Sequence, residues 1–473
     1  MELVFAALLS HAEKRPDAIA FVDAKGHITY RQLFVRVQAM AEMLNGVEKS
    51  VAIALPDSID YVVADLGATL AGKRVIPVPL FFSPDQIAHL LKEAAVDFVI
   101  GKSTAVSVPP AIKTCTQMPS KPPTEPIMYH GGATRVIYTS GSSGTPKGVV
   151  HGDRQLTASL TALHSGIAPT EEDVHLSLLP YAQLLEQICG IFLPILAGGK
   201  VVISDAATQV MTSGDLSVIA QEFETHHPTT SLMVPNLLAA WCAGLMAAGI
   251  PAPNTLRFVA IGGATTPQTL KHTATRLNIP LYEGYGLSEC CAVVAMNTPA
   301  RNTAGSVGHV LEGTTVTVEA GEIVVHGPTI MEGYLDGTPI SSHWHTGDLG
   351  DLQDGVLHYR GRKDALIIRS NGRNISPEWV EAQCACLPGV AGCCLTYLPD
   401  QDRLCLIVAT STAVPQDIID QSFTELPIYA QPDHILILNS RDPSLFYPIG
   451  TPNRRAMNTY ALRMLPETSR RAS

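Results

Sequence analysis

The residues from Thr139 to Gly148 combine hydroxyls, glycines and one lysine in a pattern that suits a negatively charged ligand. Glycines let the backbone approach a ligand closely, hydroxyls and exposed N–H groups donate hydrogen bonds, and Lys147 supplies a positive charge. The order differs from that of a Walker A loop, because Pro146 stands before the lysine and a glycine after it. A flexible Ser/Gly linker is the alternative, but linkers rarely start on a β-branched strand such as Arg135 to Tyr138. We predict a loop that holds a polyphosphate.

Three further segments lie downstream: Tyr282-Glu-Gly-Tyr-Gly-Leu-Ser-Glu289, Trp344-His-Thr-Gly-Asp348 and Tyr359-Arg-Gly-Arg-Lys-Asp364. Each alone could be an ordinary turn, since such sequences are common in loops. Together with the loop, and in this order, they resemble the motifs of the adenylate-forming enzymes, a superfamily that includes acyl-CoA synthetases, nonribosomal peptide synthetase adenylation domains and luciferases. Within it the chain looks most like fatty acyl-CoA and acyl-carrier-protein synthetases. The resemblance covers nearly the whole chain.

The resemblance implies attack of a carboxylate on the α-phosphate of ATP, which requires negative charge on both reactants to be offset. Tyr285 would stack on adenine, with the backbone that follows the predicted strand Phe258–Ile261 against the base. Asp348 and Arg362 would bond the ribose hydroxyls. The nucleotide-binding residues that the resemblance implies are Thr139, Ser140, Gly141, Ser142, Ser143, Gly144, Thr145, Lys147, Gly262, Gly263, Ala264, Glu283, Gly284, Tyr285, Gly286, Ser288, Asp348 and Arg362.

The same resemblance implies catalytic roles for Lys147, Ser288, Glu289 and Arg455. Lys147 and its loop would clamp the β- and γ-phosphates and then the departing pyrophosphate. Ser288 would bond the α-phosphate or the carboxylate of the acid. Glu289 would hold Mg²⁺, a hard cation that prefers carboxylate and phosphate oxygens.

The C-terminal motif departs from the family pattern. Aligning Gly450-Thr-Pro-Asn-Arg454 with the family's G-K-x-x-R segment puts Thr451 where a lysine reaches the two anionic reactants. A neutral hydroxyl cannot replace an ammonium there, although Arg454 or Arg455 could partly supply the charge. Three hypotheses follow: an AMP-forming acid–thiol ligase, an enzyme with impaired adenylation or an altered second step, and a non-catalytic nucleotide-binding scaffold. The intact Lys147, Glu289, Asp348 and Arg362 argue against the third, because a scaffold does not need a complete ATP site.

The segment Leu179-Pro-Tyr-Ala-Gln-Leu-Leu-Glu186 resembles the L-P-L-A-H-x-x-E segment of long-chain acyl-CoA synthetases, with Gln183 in place of histidine. No other carboxylate occurs between Pro180 and Lys200, so a substrate ammonium would lack a partner, which disfavours an α-amino acid. We expect a fatty or otherwise apolar carboxylic acid and transfer to a phosphopantetheine thiol of CoA or a carrier protein. The predicted substrate contacts are Gln183, Val234, Gly263 and Gly286, near the apolar stretches Val234–Leu238 and Cys290–Ala295, which could equally be core.

The elements that position these motifs follow from the alternation of β-branched stretches with helical spacing. Ser58 to Ala71 has the apolar spacing of a helix, and short glycine-bounded strands at Thr315–Glu319 and Glu322–His326 indicate a β-rich part. The alternation predicts an α/β fold, with layered α/β subdomains and a β-rich subdomain in a large N-terminal domain. Its early strands are predicted at Val51–Leu55, Val75–Val78 and Asp97–Ile100.

After the third downstream segment about 110 residues remain, the size of a separate domain. We predict an N-terminal domain over residues 1–363 that binds ATP and acid, and a small mobile α+β domain over residues 364–473. The resemblance implies a hinge at Asp364, because one pocket must serve two successive reactions. A helix should start at Pro377 with Ser376 as its N-cap.

Composition narrows the classes of partner. The chain has 32 Lys and Arg against 43 Asp and Glu, a net charge of −11, which disfavours nucleic-acid binding. The sequence has no run of 18 or more apolar residues and no signal peptide, so we expect a cytoplasmic protein without integral membrane association. Ten cysteines are too few for a disulfide framework, and the clustered Cys384, Cys386, Cys393 and Cys394 lack metal-ligand spacing, so they are expected in the core.

Overall fold

The computed structural model describes residues 1–47, 49–101, 108–109, 112–140, 146–207, 209, 217–338, 340–370, 373–446 and 452–465. The strands within these ranges are β1 (Ile19–Asp23), β2 (Gly26–Thr29), β3 (Ser50–Ala54), β4 (Arg74–Pro77), β5 (Phe98–Gly101), β6 (Lys113–Cys115), β7 (Thr134–Ser140), β8 (Pro146–His151), β9 (Val174–Ser177), β10 (Lys200–Ile203), β11 (Thr230–Met233), β12 (Phe258–Ile261), β13 (Leu281–Tyr285), β14 (Ala295–Met296), β15 (His309–Val310), β16 (Thr315–Glu319), β17 (Glu322–His326), β18 (Gly333–Tyr334), β19 (His343–Gln353), β20 (Val356–Arg362), β21 (Ile367–Ile368), β22 (Asn374–Ile375), β23 (Val390–Leu398), β24 (Arg403–Thr410) and β25 (His434–Leu438). The α-helices are α1 (Glu2–Lys14), α2 (Tyr30–Leu44), α3 (Ile59–Leu70), α4 (Pro84–Glu93), α5 (Asp153–Ile167), α6 (Leu184–Gln187), α7 (Leu193–Ala197), α8 (Ser217–His226), α9 (Pro235–Ala248), α10 (Gln268–Arg276), α11 (Pro377–Ala385), α12 (Gln416–Gln421) and α13 (Arg454–Met464). A π-helical turn over Ile188–Phe192 joins α6 to α7.

The largest sheet has 13 strands in the order β16-β17-β19-β20-β15-β14-β13-β12-β11-β9-β10-β1-β2. The strands from β13 to β1 run parallel, and apolar clusters cover both of their faces, as a parallel sheet requires. The predicted β-rich part is confirmed at β16 and β17, but it is continuous with the parallel strands through the antiparallel pairing of β13 with β14. The α/β class predicted from alternation is confirmed.

The second sheet has seven strands in the order β18-β8-β7-β4-β3-β5-β6. Its three early strands lie within one residue of their predicted bounds, because buried β-branched runs mark them clearly. The strands β7 and β8 are antiparallel, and Thr139 pairs with Lys147. The two ends of the predicted phosphate loop are therefore neighbours in a hairpin, while residues 141–145 lie outside the described ranges.

Helices pack between the two large sheets and share one apolar core with both of them. Helix α3 lies there with nearly every residue buried, and the Ser58 hydroxyl caps it by accepting from the Tyr61 N–H at 3.2 Å. Beyond its first turn the helix has one charged residue, Asp65, which forms an ion pair with Arg135 on β7 at 2.5 Å. This ion pair ties the buried helix to the strand that leads to the phosphate loop.

Residues from Ile367 onward form two apolar clusters of their own, one on each face of the three-stranded sheet β23-β24-β25. Of the four cysteines expected in the core, Cys384, Cys393 and Cys394 pack in these clusters, whereas Cys386 is half-buried and packs against the cluster that contains Trp241. Helix α11 starts at Pro377 as predicted, although the Ser376 hydroxyl donates to Glu378 at 2.8 Å instead of capping the helix. The boundary at residue 364 and the mobility of this part stay predictions. No helix in the described chain is long and apolar enough to cross a membrane.

Candidate active site

A cavity of about 520 Å³ lies where the parallel strands β11, β12 and β13 end and the hairpin β7–β8 faces them. The carboxyl ends of parallel strands are the usual place for a ligand in α/β folds. Helix α5 and the segment from Ala182 to Cys189 close the far side with apolar side chains. The predicted site residues in its wall are Thr139, Gln183, Gly262, Gly263, Gly284, Tyr285, Gly286 and Ser288.

Bare backbone forms one part of this wall. A Cβ placed on Gly286 would lie 1.6 Å from the carbonyl oxygen of Ala292, and one on Gly262 would lie 3.4 Å from that of Gly284. A side chain at Gly286 would therefore displace the backbone. These glycines therefore pack closely against neighbouring backbone, next to Tyr285 in the wall of the cavity.

Tyr285 and Asp348 form a buried polar link beside this part of the wall. The Tyr285 hydroxyl donates to Asp348 Oδ2 at 2.6 Å, and Arg362 donates to Asp348 Oδ1 at 3.2 Å. Burial, and then the nearby Asp348 carboxylate, raise the pKa of the Tyr285 phenol, so it stays a neutral donor. Burial also raises the pKa of Asp348, against the lowering effect of Tyr285 and Arg362. The pairing of β19 with β20 brings the predicted ribose residues together.

The predicted hinge residue Asp364 joins the same network. Its carboxylate accepts from Arg362 Nε at 3.1 Å, and this contact holds the pKa of Asp364 below its ordinary value. One guanidinium thus contacts both the predicted ribose ligand and the predicted hinge. A rotation at residue 364 would change this shared contact.

Tyr334 contacts both the predicted phosphate-binding lysine, Lys147, and the predicted metal ligand, Glu289. Its hydroxyl donates to Glu289 Oε1 at 2.8 Å, and Lys147 Nζ lies 5.4 Å from the centre of its ring. Strand β18, which carries Tyr334, pairs with β8. Sequence reasoning missed this residue, because the pairing joins segments about 185 positions apart and no motif marks it.

His151 is a second residue that the sequence did not single out. Its Nε2 lies 2.8 Å from the Ser288 carbonyl oxygen. Burial lowers the pKa of His151 to about 4, so the ring is neutral at pH 7 and Nε2–H donates to the carbonyl. Its position three residues after Gly148 is the only signal in the sequence.

Glu289 offers the oxygen chemistry that Mg²⁺ requires. Mg²⁺ is commonly held by one or two carboxylates together with substrate phosphates, so a single glutamate fits that role. In the described ranges no group of three or more His, Cys, Asp or Glu side chains could form a metal site made only of protein ligands. These residues fit a metal ion shared with a bound nucleotide.

Several predicted residues lie elsewhere. The carboxylate of Glu283 accepts from Lys271 at 2.7 Å, and neither Glu283 nor Ala264 is part of the cavity wall. Val234 also lies outside the wall, behind Gly263. Gly141, Ser142, Ser143, Gly144 and Thr145 lie outside the described residues, and Ser140 is placed only by its backbone at the end of β7.

The C-terminal cations differ in their surroundings. Arg454 binds Glu381 at 2.6 Å and Glu378 at 3.3 Å, so its charge is already compensated. Arg455 is exposed in the first turn of α13. Thr451 lies outside the described ranges. Of the two arginines, Arg455 stays the predicted substitute for the lysine.

The family model described as "AMP-binding enzyme" matches residues 8–335. The 2-succinylbenzoate–CoA ligase of Bacillus velezensis is 27% identical over 420 residues, which are 81% of this chain and 83% of that protein. The long-chain-fatty-acid–CoA ligase FadD13 of Mycobacterium tuberculosis is 24% identical over 488 residues, 92% and 95% of the two chains.

Solved structures of similar fold cover almost the whole chain. The o-succinylbenzoate CoA synthetase of Bacillus subtilis, in complex with its acyl-adenylate, has a TM-score of 0.79 at 21% identity and covers 95% of this chain and 97% of that one. The anthranilate CoA ligase AuaEII, with anthranoyl-AMP, has a TM-score of 0.81 at 19% identity over 98% and 97%. The chain therefore belongs to the AMP-binding enzyme family, and with its relatives it is an AMP-forming acid–thiol ligase.

Proposed function

We propose that this enzyme activates a monocarboxylic acid with an uncharged, largely apolar tail as the acyl-adenylate and transfers the acyl group to the thiol of CoA. The observation that carries the proposal is the wall of the 520 Å³ cavity. Among its described residues none is Asp, Glu, Lys, Arg or His, and most are apolar. A charged group on the tail would lose its hydration without gaining a partner.

The proposed class of acid is narrower than the substrates named for the relatives. The 2-succinylbenzoate named for two of them is a dicarboxylate, whose second carboxylate would need a cation that this wall lacks. A fatty tail and an aryl tail both suit the apolar wall, in keeping with the fatty or otherwise apolar acid expected from the sequence. CoA is proposed as acceptor because relatives are named CoA ligases. A carrier-protein acceptor stays a prediction.

In the first step a carboxylate oxygen of the acid attacks the α-phosphorus, a new oxygen–phosphorus bond forms, and pyrophosphate leaves with the electrons of the broken bond. Lys147 would hold the departing pyrophosphate and Ser288 the α-phosphate. Glu289, oriented by Tyr334, would hold Mg²⁺, which offsets phosphate charge when bound. In the second step the thiolate of CoA attacks the acyl carbon and AMP leaves.

Mass-spectrometric detection of acyl-CoA from a mixture of acids tests this function. With ATP, Mg²⁺ and CoA, the enzyme should form thioesters of alkanoic and arylalkanoic acids and none of α-amino acids or dicarboxylic acids. Thioesters formed mainly from amino acids or dicarboxylic acids would contradict the uncharged-tail assignment. Absence of every thioester, in protein that binds ATP, would contradict the ligase function itself.

Replacing Ala260 by phenylalanine should shorten the acid pocket. Ala260 lies on β12 in the wall, and a bulky ring there would fill space that a long tail needs. We expect kcat/KM for long-tailed acids to fall at least ~10-fold while short acids lose much less. Ala247→Phe, on the exposed face of α9, is the matched control. An equal loss for acids of every length would contradict the placement of the tail.

Replacing Arg455 by alanine tests the substitute for the missing lysine. A cation that bridges two anionic reactants contributes charge-assisted hydrogen bonds, so its loss should slow ATP–pyrophosphate exchange by ~10- to 100-fold. Arg463→Ala, on the exposed surface of the same helix, should exchange at the wild-type rate. Wild-type exchange in Arg455→Ala would reject the substitution and indicate that adenylation proceeds without this cation.

A further inference from the structure

A second, smaller cavity of about 40 Å³ lies behind the apolar end of the large one. The two cavities share four wall residues, Ile167, Cys189, Leu232 and Ala260. The smaller cavity therefore adjoins the acid pocket at these residues. A volume of this size holds about one to three non-hydrogen atoms, on the scale of ~10–15 Å³ for one water-sized centre.

His175 on β9 lines this deep cavity and is only 5% exposed. Its Nδ1 lies 3.0 Å from the Thr230 hydroxyl, but its Nε2 has no hydrogen-bond partner. Glu186 Oε1 lies 3.6 Å from Nε2, within ion-pair distance but beyond hydrogen-bond distance, and it accepts from Ser177 at 2.5 Å. A buried ring nitrogen without a hydrogen-bond partner is costly, and such atoms usually mark a bound water or ligand group.

The charged residues near the deep cavity do not select one sign of ligand charge. Asp173 and Lys200 line it, Asp173 is paired with Arg257, and Lys200 adds a positive charge. Glu186, a buried carboxylate, lies 3.6 Å from Nε2 of His175 and lines neither cavity. Among the described residues that line the deep cavity, Nε2 of His175 is the buried polar side-chain atom without a hydrogen-bond partner.

From this arrangement we propose that the preferred acid carries a hydroxyl at the far end of its apolar tail, bound by Nε2 of His175. The inference rests on the proposed function, since the tail is that of the acid being adenylated. A hydroxyl fits the small volume, can accept from or donate to the imidazole nitrogen, and needs no counter-charge. The apolar section between the carboxylate site and His175 sets the length of tail that reaches it.

Wild-type enzyme and matched acids test this directly. ATP–pyrophosphate exchange is measured for alkanoic and arylalkanoic acids of increasing length, each with an unsubstituted, a hydroxyl, an amino or a carboxylate tail end. At the length that reaches His175, the hydroxy acid should exceed its unsubstituted partner in kcat/KM by ~10-fold, the worth of one buried hydrogen bond. A hydroxyl that brings no gain at any length would overturn the proposal and leave a bound water as the occupant. A preference for amine or carboxylate would also overturn it.

Exchange with unsubstituted acids tests the proposed function, and the gain from the hydroxyl tests the role of His175. If no acid supports exchange, the proposed function fails. If unsubstituted acids support exchange and hydroxyl acids show no gain, only the role of His175 fails.

The variant His175→Phe keeps a ring and removes the nitrogen, so the ratio of hydroxy to unsubstituted acid should fall to about one. His175→Gln places an amide near the same point and should keep part of the preference. His226→Phe, on the surface helix α8, is the matched control and should keep the wild-type ratio. An unchanged ratio in His175→Phe would overturn the assignment, and the wild-type comparison decides alone if that variant does not fold.

Discussion

Replacing Glu289 by glutamine should slow acid-dependent ATP–pyrophosphate exchange by ~100-fold or more, since the metal that it would hold contributes several kcal/mol of charge stabilisation. The amide keeps the size of the side chain and can still accept from Tyr334, so the fold should be unaffected. Only the negative charge that favours Mg²⁺ is lost. Exchange measured over increasing Mg²⁺ concentration should show a weaker dependence on the metal and partial recovery at high Mg²⁺.

Two further variants serve as controls for Glu289→Gln. Glu312→Gln, at an exposed position, should exchange at the wild-type rate. Tyr334→Phe removes the hydrogen bond to Glu289 and keeps the ring beside Lys147, so it should cost ~10-fold or somewhat more through the orientation of the carboxylate. Exchange by Glu289→Gln within twofold of wild type would show that this carboxylate holds no essential metal.

Replacing Asp65 by asparagine should lower the free energy of unfolding by ~3–5 kcal/mol, because it leaves the Arg135 charge buried without its partner. The two side chains are 0% and 1% exposed and form a two-pronged contact at 2.5 and 3.0 Å. Gln187 and Thr69 accept from the same guanidinium but carry no charge. Unfolding is induced with denaturant and monitored by a spectroscopic signal from the part of the chain before residue 364.

A double variant separates the ion pair from the packing. Asp65→Leu combined with Arg135→Met should recover much of the loss, since an apolar pair of similar volume needs no desolvation of charge. Asp351→Asn, which breaks the exposed pair with Arg360, should change stability little. A loss below ~1 kcal/mol in Asp65→Asn would show that the guanidinium finds compensation elsewhere.

The α/β fold and much of the site could be predicted because their signals are local. Buried strands such as β3 and β5 are short runs of β-branched residues, and Gly286 lies within a motif recognisable from a few consecutive letters. Each of these patterns can be recognised within a few consecutive residues. The helix predicted over Ser58 to Ala71 from its apolar spacing agrees within one residue at each end with α3.

The remaining parts depend on contacts between distant segments. Tyr334 reaches Glu289 only because β18 pairs with β8, and His151 reaches Ser288 only through the packing of the two sheets. Glu283 was predicted in the nucleotide site because its neighbours belong there, but Lys271 on an adjacent helix takes its carboxylate. Such partners are set by three-dimensional packing, which spacing along one sequence does not encode.

The unpaired Nε2 of His175 could not have been foreseen either, since it depends on how the segment Leu184–Ala197 lies against β9. His175 stands in an apolar stretch of sequence and reads as a core residue. Only the structure places it in the wall of the small cavity that adjoins the acid pocket.

The measurement that tests the central claim most directly is ATP–pyrophosphate exchange by the wild-type enzyme with paired acids of equal length, such as hexanoic acid against adipic acid, with 2-succinylbenzoate included. The uncharged wall predicts exchange with the monocarboxylic acid and little or none with either dicarboxylate. Exchange that favours adipic acid or 2-succinylbenzoate over hexanoic acid would contradict the account.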